Sequence, residues 1–547
     1  MKQLAVAAGI AVLTLVGFFQ FPGHTWVQQD TQIYAPILEH LRDPAVLRND
    51  ILVARPHVSF TIYDEVAIGL RNLTGLGFRE VLAGQQIITR ALGIWGLYLM
   101  ATAVGLTAGP ALLVAAILSL GAVVGGPSVL TFEYEPAPRG FATPLLLLAI
   151  GLIAHRRHAW AGVAASVAFL IHPPTVYPFW AVYFCLVLWP SRPEIMRGRL
   201  YALVPLLCAT LLLLVASRHQ AGATEAQLFF QRLAPEQEQL QRMRASYVWV
   251  STWAREWMPH YMVLLAVAGL GYWKLRPKAP VDLRFFLVGL PIVAVLSIPV
   301  SWLLLEHMKW ALIPQFQPAR ALVFLVLMAL LIAAVAAARA AAAGRLVRAF
   351  LWLIPVFLLP TNASLVEFPS WQRAAIVVGL AALAVAALRA DALKRRWAPA
   401  ALTVAALAGS FAIPMLGGVR NYQDLHTPEL AQLSAWARTE TDQDAVFLFA
   451  DAGYGAAPGI FRAEALRAIY VDWKGGGQVN YLRQLGEEWW QRWQAVNKGK
   501  FRTWNVSKYG PLGIDYMVLQ SKNRLPSRTP VYQNREYLVY RLRAPRT

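Results

Sequence analysis

ALVFLVLMALLIAAVAAA, residues 321–338, runs for eighteen residues without a charged side chain, between Arg320 and Arg339. As a helix it is about 27 Å long, close to the thickness of the hydrocarbon layer of a bilayer, so it reads as a membrane span. Similar windows recur outward from it, near 4–20, 84–106, 109–126, 140–154, 159–171, 175–190, 200–217, 259–273, 285–305, 347–360, 373–388 and 399–416. The count is about thirteen spans. The first is read as uncleaved, because FFQFPGHTW (18–26) offers no small-x-small cleavage site. The composition agrees: 547 residues are 57% hydrophobic and only 15% charged. Cys185 and Cys208 lie inside apolar windows, which argues against a disulfide framework or a cysteine zinc site.

The formal charge of +20 falls mostly between the apolar windows, so no nucleic-acid partner is called for. With a cytoplasmic N-terminus, the inner loops carry Arg156/Arg157, Arg192/Arg197/Arg199, Lys274/Arg276/Lys278, Arg345/Arg348 and Lys394/Arg395/Arg396. The opposite loops carry Asp30, Asp43, Asp50, Asp64, Glu65, Glu133, Glu135, Glu306 and Glu367. This alternation obeys the positive-inside rule and puts the tail outside, which in a bacterial inner membrane means the periplasm. The expected fold is therefore mainly α: a polytopic transmembrane helix bundle over 1–419, with a long first outer loop (21–83), and a small periplasmic α/β domain over 420–547. In the tail, helical patterns at 428–439 and 479–497 alternate with the strand-like runs DAVFLFA, RAIYVDW, DYMVLQS and EYLVYRL. Its interleaved Arg, Lys and Trp residues suit either a solvated basic surface or a glycan or phosphate. The stretch 223–244 reads as an amphipathic helix lying on the outer surface, and Trp253, Trp257, Trp310 and Trp371 read as interfacial anchors.

Residues able to carry chemistry collect on the outer side. Asp30 follows the first span by about ten residues and precedes an apolar stripe of Ile33, Tyr34, Ile37, Leu38 and Leu41, so it reads either as the cap of that helix or as a catalytic carboxylate. PSVLTFEYEPAPRG (127–140) brings Glu133, Glu135 and Arg139 to the start of the fourth span. The two acids suit either a divalent cation, with oxygen ligands favouring magnesium or manganese, or a local salt bridge, and Arg139 suits a phosphate. His172 stands before Pro173 and Pro174, where the helix is interrupted and backbone groups can face a cavity. Glu306, His307, Lys309 and Arg320 share an outer loop whose cations suit a lipid phosphate, whether for turnover or for anchoring.

The long first loop with its juxtamembrane acid, the second loop with paired acids and the outer soluble tail together resemble the glycosyltransferase C (GT-C) superfamily in architecture. The resemblance implies transfer of a sugar, hexosyl or pentosyl, from a polyprenyl-phosphate carrier to a glycan or lipid acceptor at the outer face of the membrane. It implies Asp30 as the acid that activates the acceptor, and it puts Glu133 and Glu135 in the place of a second-loop Asp-x-Asp pair. Arg139, His172, Lys309 and Arg320 would then hold the carrier phosphate. Two departures stand out: the second motif is Glu-Tyr-Glu, and Trp489-Trp490 is followed by Gln491, without the Trp-Trp-Asp of oligosaccharyltransferases. Competing readings are a lipid-linked glycan polymerase or ligase and a non-catalytic scaffold binding lipid or a partner protein; few charges inside the spans and no paired halves argue against a transporter.

Overall fold

In the computed structural model the described residues are 2–20, 22–54, 61–219, 230–358, 425–499 and 501–543, with 379 and 382 singly. Apart from those two residues, the windows 373–388 and 399–416, with Glu367 and Trp371, lie outside them. The first helix is α1 (Lys2–Phe19); the long loop after it then folds into α2 (Thr31–Arg42) and α3 (Tyr63–Thr74). Helices follow as α4 (Phe78–Ala103), α5 (Ala108–Ser119), α6 (Pro138–Ala154), α7 (His158–Ile171) and α8 (Pro173–Leu188). After α9 (Pro193–Tyr201) and α10 (Leu203–His219) comes α11 (Pro235–Arg244). Then come α12 (Trp257–Leu275), α13 (Val281–Ser301), α14 (Leu322–Ala342) and α15 (Leu346–Leu358).

Among the described residues three segments are long and apolar enough to cross a membrane: Pro193–Ala216, Val281–His307 and Ile313–Ala342. Leu207, Leu211, Leu214 and Val215 of α10 are exposed, an apolar strip that lipid covers and water would not. The chain is a helical membrane protein. The stretch 321–338 occupies its centre, where α14 is buried against α12, α13, α15 and α5.

The structure revises three expectations. The window 109–126 does not continue as one span: α5 stops at Ser119, and Val123–Val124 (β1) pairs antiparallel with Val129–Leu130 (β2). Gly125 and Gly126 turn that hairpin, and the rings of Trp257 and Trp253 lie where their Cβ atoms would be. Trp253 is thus a buried packing residue and not an interfacial anchor, with its Nε1 donating to the Tyr247 carbonyl. Finally, within 223–244 the described helix begins at Pro235, and Leu240 is buried in the core of the C-terminal domain instead of lying on the bilayer.

The C-terminal domain is built as its alternating strands require. Five strands in the order β4-β3-β5-β7-β6 form a sheet from Val446–Phe449 (β3), Ala468–Ile469 (β4), Tyr516–Gln520 (β5), Tyr532–Gln533 (β6) and Tyr537–Arg541 (β7). β3 runs parallel to β4 and β5; β7 runs antiparallel to β5 and β6. With side chains alternating along each strand, Phe447, Phe449, Val518 and Val539 face α16 (Pro428–Glu440) and α17 (Ala457–Ala465). Leu448, Met517, Leu519 and Tyr540 face the other way, onto α18 (Arg483–Asn497) through Trp489 and Trp493. Val27 joins the first of these cores, and Ile51 and Leu240 the second, so loops of the helical part are packed into the sheet domain.

Candidate functional site

Asp30 stands at the start of α2, but its carboxylate makes no capping bond to that helix. Glu135 takes the role instead: its carboxylate accepts from the backbone amides of Gln28 (2.8 Å), Gln29 (2.5 Å) and Thr31 (3.1 Å), and from the Thr31 hydroxyl (3.0 Å). The loop before α6 thereby holds the turn that presents Asp30 and leaves the Asp30 carboxylate to face a cavity. Gly140 permits this fold-back, since a Cβ there would press on Glu133 at 3.0 Å.

Each oxygen of Asp30 meets a cation. Oδ2 accepts from Arg139 Nη1 at 2.7 Å, and Oδ1 from Lys474 Nζ at 2.8 Å. Arg139 is held from its other edge by Glu133, at 2.6 Å from Nε to Oε1. Burial would raise the Asp30 pKa, but the charges of Lys474 and Arg139 outweigh it and hold the carboxyl well below the usual range. Glu135 moves the other way: burial, reinforced by the charge of Asp30, pushes it up against the opposing amides.

Lys474 is aimed by its surroundings. The Nε of Arg244 donates to the Trp473 carbonyl at 2.9 Å, while its guanidinium lies 4.7 Å over the Trp473 ring. Two of the three glycines that follow are crowded: a Cβ would meet the Asp472 carboxylate at Gly475 and the Trp489 ring at Gly476, while at Gly477 it would make only ordinary contact with Ile33 at 3.4 Å. Arg320, in the turn Pro318–Ala321, stacks on Tyr247 at 5.5 Å and keeps a buried Nε without a hydrogen-bond partner.

These groups surround a polar cavity of about 350 Å³ that collects Asp30, Glu133, Arg139, Arg244, Arg320 and Lys474. It adjoins an apolar cavity of about 670 Å³ walled by Ile171, Pro173, Tyr177, Leu296 and Phe316. Tyr34, His172 and Tyr481 line both cavities. Burial pushes the Tyr481 hydroxyl up to about 12, so it remains neutral.

The structure thus brings Asp30, Glu133, Glu135, Arg139, His172 and Arg320 to one cavity. Lys309 does not join them. Its ammonium pairs with Glu238 at 2.5 Å, and the extended segment around Leu233 hydrogen-bonds to its carbonyl, which directs it away. Nor do Glu133 and Glu135 fit a shared magnesium or manganese ion, because the first is committed to Arg139 and the second to backbone amides. Among the described residues no cluster of three metal-ligating side chains is present. Sequence reasoning missed Arg244, Tyr481 and Lys474. For Lys474 a signal was present in WKGGG, where three successive glycines mark close backbone approach.

Residues 428–496 match a family model, the domain of unknown function DUF6798. Lys474, Trp473 and Tyr481 all lie in this DUF6798 segment. No curated protein matches the chain. Among solved structures, the arabinofuranosyltransferase AftD from Mycobacteria is 16% identical with a TM-score of 0.45, over 96% of this chain and 35% of that one. The chain spans about a third of AftD's length. ArnT from Cupriavidus metallidurans, in the apo state, is 14% identical with a TM-score of 0.45, over 98% of both chains.

Proposed function

We propose that this protein is a GT-C-type membrane glycosyltransferase, which moves a sugar from a polyprenyl-phosphate carrier to an acceptor hydroxyl at the outer face of a bacterial inner membrane. The observation that carries this reading is the joined pair of cavities, a cation-rich one and an apolar one sharing Tyr34, His172 and Tyr481. A polyprenyl phosphate has the matching two-part chemistry: a tail whose burial is favourable in the apolar cavity, and an anion suited to Arg139, Arg244, Arg320 and Lys474. The basic loops on the opposite side support a cytoplasmic N-terminus and a periplasmic sheet domain.

In the reaction the acceptor oxygen bonds to the anomeric carbon as the bond from that carbon to the phosphate oxygen breaks. The departing phosphate keeps the electron pair, and the acceptor proton passes to Asp30, with inversion at carbon. A phosphate is already a good leaving group, so the surrounding cations suffice to stabilise it without a second carboxylic acid. No step requires a metal.

The test is release of polyprenyl phosphate by full-length protein in lipid nanodiscs, offered a panel of polyprenyl-phosphate sugars and acceptors. Asp30→Asn keeps the side chain's shape and removes the base, so turnover should fall by about 10²- to 10⁴-fold while carrier binding persists. Equal turnover in wild type and variant would remove Asp30 from the chemistry. Carrier binding without turnover in the wild type, across the panel, would favour a lipid-binding scaffold.

A further inference from the structure

The polar cavity contains a conflict. An acid that is to accept a proton has both oxygens engaged by cations, and a cation that is to meet a phosphate is spent on that acid. The cations differ in how firmly they are held. Arg139 is fixed at two edges, by Glu133 and by Asp30. Arg244 is fixed by the backbone carbonyls of Trp473 and Lys474 and by stacking on the Trp473 ring. Lys474 has a flexible four-carbon stem, and its ammonium can turn about its axis without losing donors. Its backbone is anchored by Arg244, so the side chain can change partner without the loop moving. Arg320, whose buried Nε has no hydrogen-bond partner, lines the same cavity and adds a further positive charge to it.

We propose that Lys474, supplied by the C-terminal domain, is a substrate-binding residue that exchanges Asp30 for the phosphate of the lipid carrier. In the free protein it neutralises Asp30; with carrier bound, its ammonium moves to the phosphate and Oδ1 of Asp30 becomes available to the acceptor hydroxyl. Donor binding and activation of the base are then one event, and Asp30 is a poor base until a donor is present. The inference rests on the lipid-carrier reading above and adds the residue that couples its two halves.

The exchange predicts an effect opposite to that of removing a binding residue. Binding of polyprenyl phosphate is measured to full-length protein in neutral-lipid nanodiscs, for wild type, Asp30→Asn, Lys474→Met and the double variant. Asp30→Asn should bind about five- to tenfold more tightly than wild type, since Lys474 no longer leaves an ion pair. That gain should disappear in the Lys474→Met background. A gain of the same size there would be simple repulsion between Asp30 and the phosphate, and no gain in either background would mean no competition; both overturn the exchange and leave the carrier reading intact. No binding by any of the four would overturn the carrier reading and the exchange with it. A second measurement does not depend on the Asp30 variant folding. Lys474 lowers the Asp30 pKa in the free protein, so Lys474→Met should move the acid limb of kcat/KM to higher pH. The acid limb of kcat, set in the carrier complex where Lys474 has already left, should stay in place. Parallel movement of both limbs would overturn the proposal.

Discussion

Two clusters of acidic and basic residues tie the first long loop to the DUF6798 segment, and they differ in what surrounds them. In one, Arg462 bridges Asp50, at 2.7 Å, and Asp472, with all three side chains 0–2% exposed. Every carboxylate oxygen there has a donor: Asp50 also accepts from the amides of Leu52 and Ile469, and Asp472 from that of Gly475. In the other, Arg139 and Lys474 flank Asp30 with side chains 19–26% exposed, beside an open cavity. Charge pairing alone therefore does not mark a site. The difference lies in access: a cluster sealed from solvent fixes geometry, whereas one facing a cavity can exchange partners.

The comparison can be broken by substitutions on each side. The largest effect on turnover belongs to the open cluster: Asp30→Asn should lower it by the two to four orders of magnitude given above, yet cost only about 1 kcal/mol of stability in a thermal melt, because water reaches the freed cations. A large loss of stability would make Asp30 structural like Asp50. Arg462→Met should do the reverse. It leaves two buried carboxylates unpaired, at a cost of about 3–5 kcal/mol seen as early melting of the C-terminal domain, and activity lost only in proportion to unfolded protein.

Glu135→Gln sharpens the distinction within the open cluster. It keeps one good acceptor for the amides of Gln28, Gln29 and Thr31 and loses charge-assisted bonding, so stability should fall by about 1–3 kcal/mol. Carrier turnover should fall far less than in Asp30→Asn; an equal fall would give Glu135 a chemical role. The smallest effect concerns Asp64 on α3, pushed up to about 8 by burial and by the neighbouring Glu65. A carboxyl whose folded pKa lies above its unfolded value destabilises the fold as pH rises between the two values. Wild-type melting temperature should therefore fall from pH 5 to 8 and level off above, and Asp64→Asn should flatten that slope. A slope unchanged in the variant would assign it to other groups.

Much of the helical part was legible because a span must be apolar over its full length, and the strands because both faces of the sheet are buried in alternation. The hairpin at 123–130 was hidden: Val123 and Val124 extend the apolar run of α5, and only the glycine pair after them records the turn. Local spacing made Glu133 and Glu135 look like a pair, whereas Glu135 turns to amides more than a hundred residues earlier in the chain. Asp30 and Arg139 were legible as candidates because each lies at the edge of a span. Lys474 was not, because 444 positions separate it from Asp30, and no periodicity spans that distance.

The central helix α14 has one more consequence. Its apolar window is completely buried by other helices, so the most hydrophobic of the three long segments has no lipid around it in the finished molecule. The insertion apparatus reads hydrophobicity in the emerging chain, while the assembled bundle reads the shape of the same side chains. A substitution between Leu322 and Ala342 is therefore judged twice, first as a passenger entering the bilayer and later as a mast around which other helices must close. A leucine exchanged there for an equally greasy phenylalanine would pass the first examination and fail the second.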